Sequence, residues 1–346
     1  MLTPTVITPD PLQVLASTAE VVSAMTSVEI DQQAIVQLAG QILGHHVPPP
    51  VWDSETHFTT TGPAAIEQVA GWTFALDALN FCFWAQGDDP NHRWRISSGG
   101  EVHDGYMALA IALRDAARSG IPVWSPVWMA EVTSADLRRL FMPVPGSDTI
   151  PLLATRVDHL NELGHAMLRA FPGHRPFSDL IAAAGNSAPR IAGLAIALAR
   201  SFDDVATWTS PLDGASHLVR FHKRAQILAS DLAGALAPHG LTLTERDQLT
   251  AFADYKVPQV LRQLGILRYT PDLADRIHRF DRLAPGSREE VEIRAATIWA
   301  CEWLRQALSG ATTPYTASDV DWLLWNQGQS LPSGSEPYHR TVTPFY

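Results

Sequence analysis

Residues 221–261 read FHKRAQILASDLAGALAPHGLTLTERDQLTAFADYKVPQVL, and we expect the rest of the chain to be organised around this segment. Apolar residues recur at helical spacing in its first half and form one stripe, made of Phe221, Ala225, Leu228, Leu232 and Leu236. A second apolar run follows after a short polar link. Pro258 should break this second run and lead into a further helix that ends at Gly265. The pattern therefore predicts a first helix and then a helix, a tight turn and a helix over residues 249–265.

Each apolar run contains one isolated aspartate, Asp231 in the first and Asp254 in the second. Arg224 precedes Asp231 by seven residues, so the two lie almost in line at the border of the apolar stripe, with Lys223 beside them. Carboxylates and cations at the edge of an apolar surface are typical of a dry pocket that binds a charged small molecule. The alternative is a structural ion pair between packed helices, with Asp231 bound to Arg224.

Length and composition indicate one globular core. The chain has 346 residues, of which 46% are hydrophobic and 18% are charged, so it can bury a full-sized core. No linker is long enough to separate two folding units. We expect a single domain over residues 1–346, with residues 1–50 as an N-terminal helical extension and residues 315–346 as a C-terminal tail that packs on the domain. We also expect a monomer.

The formal net charge of −11 restricts the class of partner. A protein that binds a nucleic-acid backbone needs a basic face, because neutralised phosphates provide most of the affinity. The densest basic cluster is only HKR at 222–224. We therefore expect no nucleic-acid polymer as a partner, whereas a free nucleotide needs only one or two cations.

The apolar runs, the N-terminal stretch and the two cysteines predict the cellular location of the protein. No run of eighteen apolar residues occurs, so no membrane span is expected. The N-terminal stretch lacks a basic region followed by an apolar one, so we expect no secretory signal. Cys82 and Cys301 both lie in apolar helical patterns, which predicts buried free thiols in a reducing cytoplasm.

The fold class is expected to be mainly α, with a minor β hairpin formed by RWRI and EVH near residues 93–103. A helix over residues 63–84 contains GWTFALDALNFCFW, which is apolar nearly all round and should therefore be central. Within it, Asp77 and Asn80 are three residues apart and face the same way. Asp77 binds a ligand there, or it caps a neighbouring helix or pairs with an arginine.

Sequence motifs for several common chemistries are absent. There is no phosphate-binding G-x-x-x-x-G-K-[ST] loop, no strand-led G-x-G-x-x-G, no H-E-x-x-H, no cysteine pair at zinc spacing and no G-x-S-x-G. We therefore expect neither a metal nor a cofactor. Carboxylates, cations and aromatic side chains are what remain for chemistry.

Several longer blocks resemble one known family. They are ALDALNFCFW, DGYMALAIALRDAARSGIPV, PLLATRVDHLNELG, FHKRAQILASDL, LTAFADYKVPQVLRQLG and GSREEVEIRA, and they follow one another in order from residue 72 to residue 294. The tail, with DWLLWNQ and PYHRTVTPFY, is similar as well. The chain thus resembles the queuosine salvage proteins, which are queuosine 5′-phosphate N-glycosylase/hydrolases. Met107 departs from the pattern, because the family usually has an aromatic residue there.

The resemblance implies an activity and a fold. The activity is hydrolysis of the N-glycosidic bond of queuosine 5′-monophosphate, which releases queuine and ribose 5-phosphate and salvages queuine for tRNA modification. The fold is a helical domain similar to the helix-hairpin-helix DNA glycosylases. The residues contain what this chemistry needs, because an oxocarbenium-like sugar requires a nearby carboxylate and a positioned water.

We assign hypothetical roles on this basis. Asp231 is the first choice for the carboxylate at the anomeric carbon, and Asp254 is the second choice or binds the queuine amine. The remaining candidates bind the substrate: Asp77 and Asn80 the base, Phe81 and Trp84 its ring face, and Lys223, Tyr255, His222 and Arg224 the phosphate. Lys223 is alternatively a solvated surface charge, and Asp254 a cap of the turn before Pro258. The resemblance alone implies that His339 folds with the tail over the site.

Two other functions remain open at this stage. One is a nucleic-acid base glycosylase of the helix-hairpin-helix type, which the negative net charge disfavours. The other is a helical protein that binds queuine without catalysis.

Overall fold

The computed structural model describes residues 3–6, 9–87, 92–332 and 334–346. Helices dominate these residues, so the prediction of a mainly α fold is confirmed. The helices are α1 Val14–Ala24, α2 Gln32–Gly44, α3 Ala65–Ala78, α4 Gly105–Arg118, α5 Pro126–Glu131, α6 Ser134–Leu140, α7 Leu153–Ala170, α8 Pro176–Ala183, α9 Ala188–Leu198, α10 Lys223–Leu236, α11 Lys256–Gln263, α12 Pro271–His278, α13 Arg288–Ala307 and α14 Ala317–Gly328.

The strands of the described residues form three short antiparallel pairs. The predicted hairpin is one of them and is confirmed, with Arg95 opposite Asp104 and Ser98 opposite Glu101. Its turn consists of Gly99 and Gly100, both at positive φ, a conformation that glycine adopts without steric cost. Residues 88–91, which precede this hairpin, lie outside the described residues. The strands are β1 Val28–Ile30, β2 Arg95–Ser98, β3 Glu101–Asp104, β4 Val205–Thr209, β5 Ser216–Arg220 and β6 Leu267–Tyr269.

Buried apolar side chains form two large clusters. The first surrounds α3 and α10 and also contains side chains of α4, α7 and α9. The second surrounds α13 and contains side chains of α1, α2, α11 and α14. Helices approach each other very closely in the first cluster, because a Cβ atom on Gly164 of α7 would lie 2.3 Å from the backbone nitrogen of Ala130 in α5. No helix of the described residues combines the length and the apolar character needed to cross a membrane.

The central helix is shorter than its hydrophobic pattern predicts. Residues 63–84 were expected to be helical, but α3 ends at Ala78. Arg224 donates hydrogen bonds to the backbone carbonyls of Asp77 and Ala78, and Arg156 donates to those of Phe81 and Cys82. Arg224 thus provides a partner for carbonyl groups that the helix end leaves free, and Arg156 does so for carbonyls of the segment that follows. The prediction was therefore wrong for residues 79–84, which form a turn with Cys82 at positive φ.

The second half of the 221–261 segment also differs from its prediction. The first helix is confirmed as α10, but residues 249–254 are not helical and the predicted helix–turn–helix is wrong. The amide of Thr250 donates to the Gln226 side chain at 2.8 Å, and that of Phe252 donates to Asp321 at 2.8 Å. Side chains thus take the hydrogen bonds that a helix would need. Pro258 lies in the first turn of α11, where proline costs no backbone hydrogen bond.

Candidate active site

A cavity of about 440 Å³ is lined in part by a third, small apolar cluster of Phe81, Cys82 and Trp84, against which Tyr255 and Tyr338 pack. Its walls come from the turn after α3, the start of α4, helix α10, residues 252–256, helix α14 and the C-terminal tail. Seven of the residues predicted for the site line it, namely Asn80, Phe81, Trp84, Lys223, Asp231, Asp254 and Tyr255. The other four predicted residues, Asp77, His222, Arg224 and His339, lie behind the lining that the described residues form.

Asp231 projects from α10 into the cavity and is almost fully buried. Its Oδ2 lies 3.5 Å from the hydroxyl of Tyr106, and its Oδ1 has no hydrogen-bond partner among the described residues. Burial raises the pKa of Asp231 well above its usual range, and the neighbouring Asp77 carboxyl raises it further, against the opposing charge of Lys223. One carboxyl oxygen of this cavity-lining residue is therefore buried without a hydrogen-bond partner among the described residues.

Asp254 has a structural contact and also lines the cavity. Its Oδ1 accepts hydrogen bonds of 2.8 Å from the backbone amides of Lys256 and Val257, at the start of α11. This is the role of a carboxylate at a helix N-terminus, where free amides and the helix dipole favour negative charge. Burial raises the pKa of Asp254, and the charge of Lys223 opposes that rise. Asp254 thus caps the turn before Pro258 and also lines the cavity.

Lys223 connects the carboxylates. Its ammonium group donates a hydrogen bond of 3.2 Å to the backbone carbonyl of Asn80, and the side chain is buried, so the solvated surface charge considered above is wrong. Burial lowers the pKa of Lys223, whereas the nearby carboxyls of Asp254, Asp77 and Asp321 raise it. The charged form of the lysine is therefore favoured by three nearby carboxyl groups and opposed by burial.

Asp77 supports the cavity wall from behind. Its Oδ1 accepts a hydrogen bond of 3.2 Å from the Asn80 side chain, and its Oδ2 has no partner among the described residues. Burial raises the pKa of Asp77 to about 7, against the hydrogen bond from Asn80 and the charges of Lys223 and Arg224. The Arg224 guanidinium donates to the backbone carbonyls of Asp77, Ala78 and Ser201, so it is committed to main-chain groups and not to Asp231.

The two predicted histidines also lie behind the cavity. His222 precedes α10 at positive φ, and its Nδ1 lies 3.7 Å from a carboxyl oxygen of Asp203. His339 is fully buried, with its Nε2 3.4 Å from the hydroxyl of Tyr346. That hydroxyl donates a 2.7 Å hydrogen bond to Glu290. Both histidines thus contact the scaffold of the site.

Aromatic rings form much of the apolar lining. The rings of Tyr255 and Tyr338 lie 4.8 Å apart between centroids. Phe81 lies against the guanidinium of Arg156, whose Cζ is 4.2 Å from the ring centroid. Trp84 lies beside two further arginines, Arg282 and Arg340. Phe81 and Trp84 therefore line the cavity and also contact arginines.

Several lining residues were not predicted from the sequence. Except for Lys256, they lie outside residues 221–261, and they are Asp53, His57, Arg93, Asp104, Tyr106, Lys256, Asp321, Trp322, Trp325 and Tyr338. For Lys256 a signal existed, because it directly follows Asp254 and Tyr255. Trp322 and Trp325 are three residues apart and face one side of α14.

One end of the cavity carries two cationic side chains, Arg93 and Lys256. Arg93 is partly exposed and pairs with Asp104 at 2.8 Å. Lys256 lies near both of them, and its Nζ is 5.9 Å from the Tyr338 ring centroid. Burial lowers the pKa of Lys256, and the Asp254 carboxyl opposes that change. The cavity thus has several carboxyl groups around Lys223 and two cations, each close to one carboxyl group, around Lys256.

Known proteins similar to this chain share one description. The family model described as "Queuosine salvage protein" matches residues 59–346. A protein of Sphaerobacter thermophilus named queuosine 5′-phosphate N-glycosylase/hydrolase is 46% identical over 97% of this chain and 98% of that protein. Proteins of the same name from Mus musculus and Schizosaccharomyces pombe are 33% identical over 82% of this chain and 83% of the relative, and 30% identical over 74% and 73%.

Proposed function

The chain belongs to the queuosine salvage protein family, and on that basis we propose that it hydrolyses the N-glycosidic bond of queuosine 5′-monophosphate. The products are queuine and ribose 5-phosphate, and the queuine is salvaged for tRNA modification. The observation that carries this proposal is the 46% identity, over 97% of the chain, to a relative named for that reaction. A cavity of about 440 Å³ is in the range typical of small-molecule sites.

Asp231 is the carboxylate that we propose for the reacting sugar. Cleavage of an N-glycosidic bond builds positive charge at the anomeric carbon, and a carboxylate beside that carbon stabilises it or activates a water. The Oδ1 atom of Asp231 has no partner among the described residues, which supports this role. Asp254 is the second carboxylate, with one oxygen held by the amides at the start of α11.

The base binds, in this proposal, against Asn80 and the aromatic lining. A 7-deazaguanine has no N7 atom to protonate, so its departure depends on hydrogen bonds to the remainder of the ring. Asn80 lines the cavity, and its amide nitrogen is already engaged by Asp77 at 3.2 Å. Its amide oxygen is then the group presented to a ring N–H, while Phe81, Trp84 and the tyrosines cover the ring face.

The phosphate binds at the outer end of the cavity, beside Lys256 and Arg93. A dianion placed at Lys223 would also meet the carboxyls that surround this lysine, which opposes binding. Lys256 and Arg93 offer a cation and a guanidinium near the more exposed end. Tyr255 remains a candidate for the same end of the substrate. His222 and Arg224 are then scaffold residues and not phosphate ligands.

The substrate is a free nucleotide in this proposal, and the enzyme acts as a monomer in the cytoplasm. The formal net charge of −11 opposes binding to a nucleic-acid polymer. Cys82 and Cys301 are buried free thiols, as a reducing compartment favours.

The deciding experiment is product analysis. The protein is incubated with queuosine 5′-monophosphate, and free queuine is measured by mass spectrometry beside a matched preparation of Asp231→Asn. Release by the wild type alone is expected. No release from the nucleotide or from the nucleoside would reject the glycosidase. Unchanged ligand recovered after tight binding would identify a queuine-binding protein, and salt-sensitive binding to duplex would favour a nucleic-acid base glycosylase.

A further inference from the structure

A chain of hydrogen bonds leads away from Asp231 through two residues to which the proposed reaction gives no role. The hydroxyl of Tyr106, at the start of α4, lies 3.5 Å from Asp231 Oδ2 and 2.7 Å from His57 Nε2. The His57 Nδ1 lies 2.5 Å from the backbone carbonyl oxygen of Asp53. All four residues line the cavity.

The positions of the protons along this series of hydrogen bonds follow from the groups at its two ends, Asp231 and the backbone carbonyl of Asp53. A backbone carbonyl only accepts hydrogen bonds, so His57 Nδ1 carries a proton. In neutral His57 the Nε2 atom is then bare and accepts the single hydroxyl proton of Tyr106. The Tyr106 oxygen can only accept from Asp231, so the contact between them requires a protonated Asp231. When His57 is protonated on both nitrogens, the Tyr106 proton turns towards an ionised Asp231 instead.

The two arrangements contain the same protons. One has neutral His57 and protonated Asp231, and the other has a His57 imidazolium and an Asp231 carboxylate. A shift of two protons interconverts them. The Asp231 Oδ2–H bond breaks as a new Tyr106 O–H bond forms, and the original Tyr106 O–H bond breaks as the His57 Nε2–H bond forms. No oxidant, reductant or further reactant is needed.

We propose that Tyr106 and His57 form a proton relay that takes the proton of Asp231 as the glycosidic bond breaks and returns it afterwards. The relay rests on the proposed function, because it supplies the ionised carboxylate that the sugar requires. It makes His57 the group that stores the proton and Tyr106 the group that transfers it. Neither needs to touch the substrate, so both are positioning residues for the reaction.

The surroundings favour the neutral arrangement in the empty site. Burial lowers the pKa of His57, Arg114 of α4 lowers it too, and the carbonyl and carboxyl of Asp53 oppose this. Burial raises the pKa of Asp231, as does Asp77 of α3. Asp231 also faces Lys223 of its own helix α10, Asp321 of α14 and the Tyr106 hydroxyl of α4.

A cationic sugar changes that balance. Positive charge beside Asp231 stabilises its carboxylate, so the proton moves along the relay when charge develops at the anomeric carbon. The receiving histidine is held in place for this step, because its ring stacks on Trp52 at 3.9 Å between centroids. His57 also makes a T-shaped contact with Trp72, at 5.9 Å between ring centroids.

Tyr106→Phe tests the relay, because it removes the hydroxyl and keeps the ring that packs edge-on against Trp325. In single turnover we expect the rate of queuine release to fall by about 30-fold or more, with substrate affinity within about threefold. The pH at which the rate rises should move upward by about one unit or more, because Asp231 must then lose its proton unaided. Tyr269→Phe removes a tyrosine hydroxyl in β6, outside the cavity lining, and should keep the wild-type rate and pH profile.

His57→Ala provides the second variant. We expect the same upward move of the pH profile, and added imidazole should restore part of the rate because it can refill the cavity left by the ring. A Tyr106→Phe enzyme with the wild-type rate, or one that is slower with an unchanged pH profile, would overturn the relay. Failure of imidazole to restore activity in a folded His57→Ala would also count against it.

A spectroscopic measurement separates this inference from the proposed function. The infrared band of the protonated Asp231 carboxyl is assigned by its loss in Asp231→Asn, and it should shift in Tyr106→Phe because its hydrogen bond is lost. This readout needs no turnover. An unchanged band rejects the relay, whereas a wild type that releases no queuine rejects the glycosidase.

Discussion

The ammonium group of Lys223 donates a hydrogen bond of 3.2 Å to the backbone carbonyl of Asn80, and it thereby joins α10 to the turn that follows α3. This contact brings the cation into the middle of the acidic part of the cavity. Asp254, Asp77 and Asp321 are the carboxyl groups that surround it. The lysine therefore controls how easily the carboxyls of the site ionise.

Lys223→Met should consequently slow the reaction in a pH-dependent way. Loss of the positive charge raises the pKa of Asp254 and Asp231, so fewer carboxylates are ionised at neutral pH. We expect kcat at pH 7 to fall by about tenfold or more and to recover partly as the pH rises. Arg139→Met removes an exposed cation that does not line the cavity and serves as the control. A loss that is equal at every pH would contradict this explanation.

Asp231→Asn should abolish most of the activity without harming the fold. The amide keeps the size of the carboxyl but provides no negative charge for the sugar, so we expect kcat to fall by about 1,000-fold. The free energy of unfolding should stay the same or rise, because a buried acid without a partner on Oδ1 is removed. Steady-state kinetics and thermal unfolding measure both. Wild-type turnover in the folded variant would place the reacting carboxylate elsewhere.

Lys256→Gln should separate the nucleotide from the nucleoside. Lys256 donates to Gln259 at 3.2 Å, and a glutamine can keep a local hydrogen bond while losing the charge that we assign to the phosphate. KM for queuosine 5′-monophosphate should rise by about tenfold, which corresponds to one charge-assisted contact. KM for queuosine itself should hardly change and is the internal control. An equal effect on both substrates would move the phosphate site away from Lys256.

Asp77→Asn should stabilise the protein at high pH. Burial raises the pKa of Asp77 from 3.8 to about 7 in the folded chain, so the folded chain binds a proton between these values that the unfolded chain has released. The associated stability is complete below pH 3.8 and is lost as the pH rises through about 7. The wild type therefore loses up to about 4 kcal/mol of folding stability above that pH. The Asp77→Asn variant avoids this loss, but its weaker attraction to Lys223 and Arg224 offsets part of the gain.

Thermal unfolding of Asp77→Asn and wild type at several pH values tests this. The variant should unfold at a higher temperature than the wild type at pH 9, and the difference should shrink towards pH 4. A constant difference across this range would show that ionisation of Asp77 is not what costs stability.

The sequence predicts helices well where local hydrophobic periodicity determines the backbone conformation. It predicts them less well where hydrogen bonds from distant side chains determine that conformation. Helix α10 follows from its apolar stripe. The end of α3 does not, because the arginines that bind the carbonyls after Asp77 are Arg156 and Arg224, far along the chain. The non-helical path of residues 249–254 likewise depends on Gln226 and Asp321, whose side chains take its amide protons.

The same distinction applies to the site. Asp231, Asp254 and Lys223 belong to one segment with acids and cations close together, so the sequence alone placed them near each other. His57 and Tyr106 lie 49 positions apart and form their hydrogen bond only after α4 packs against the loop that contains His57. No periodicity or motif connects them. Only the folded chain brings them to Asp231.

The chain contains two lysines, Lys223 and Lys256, and both line the same cavity. The remaining basic side chains are arginines and histidines, which amine-directed reagents leave unmodified. Apart from the terminal amino group, such a reagent can therefore mark this protein only inside the cavity. Protection of Lys256 from labelling would therefore report occupancy of the cavity directly, without any engineered probe.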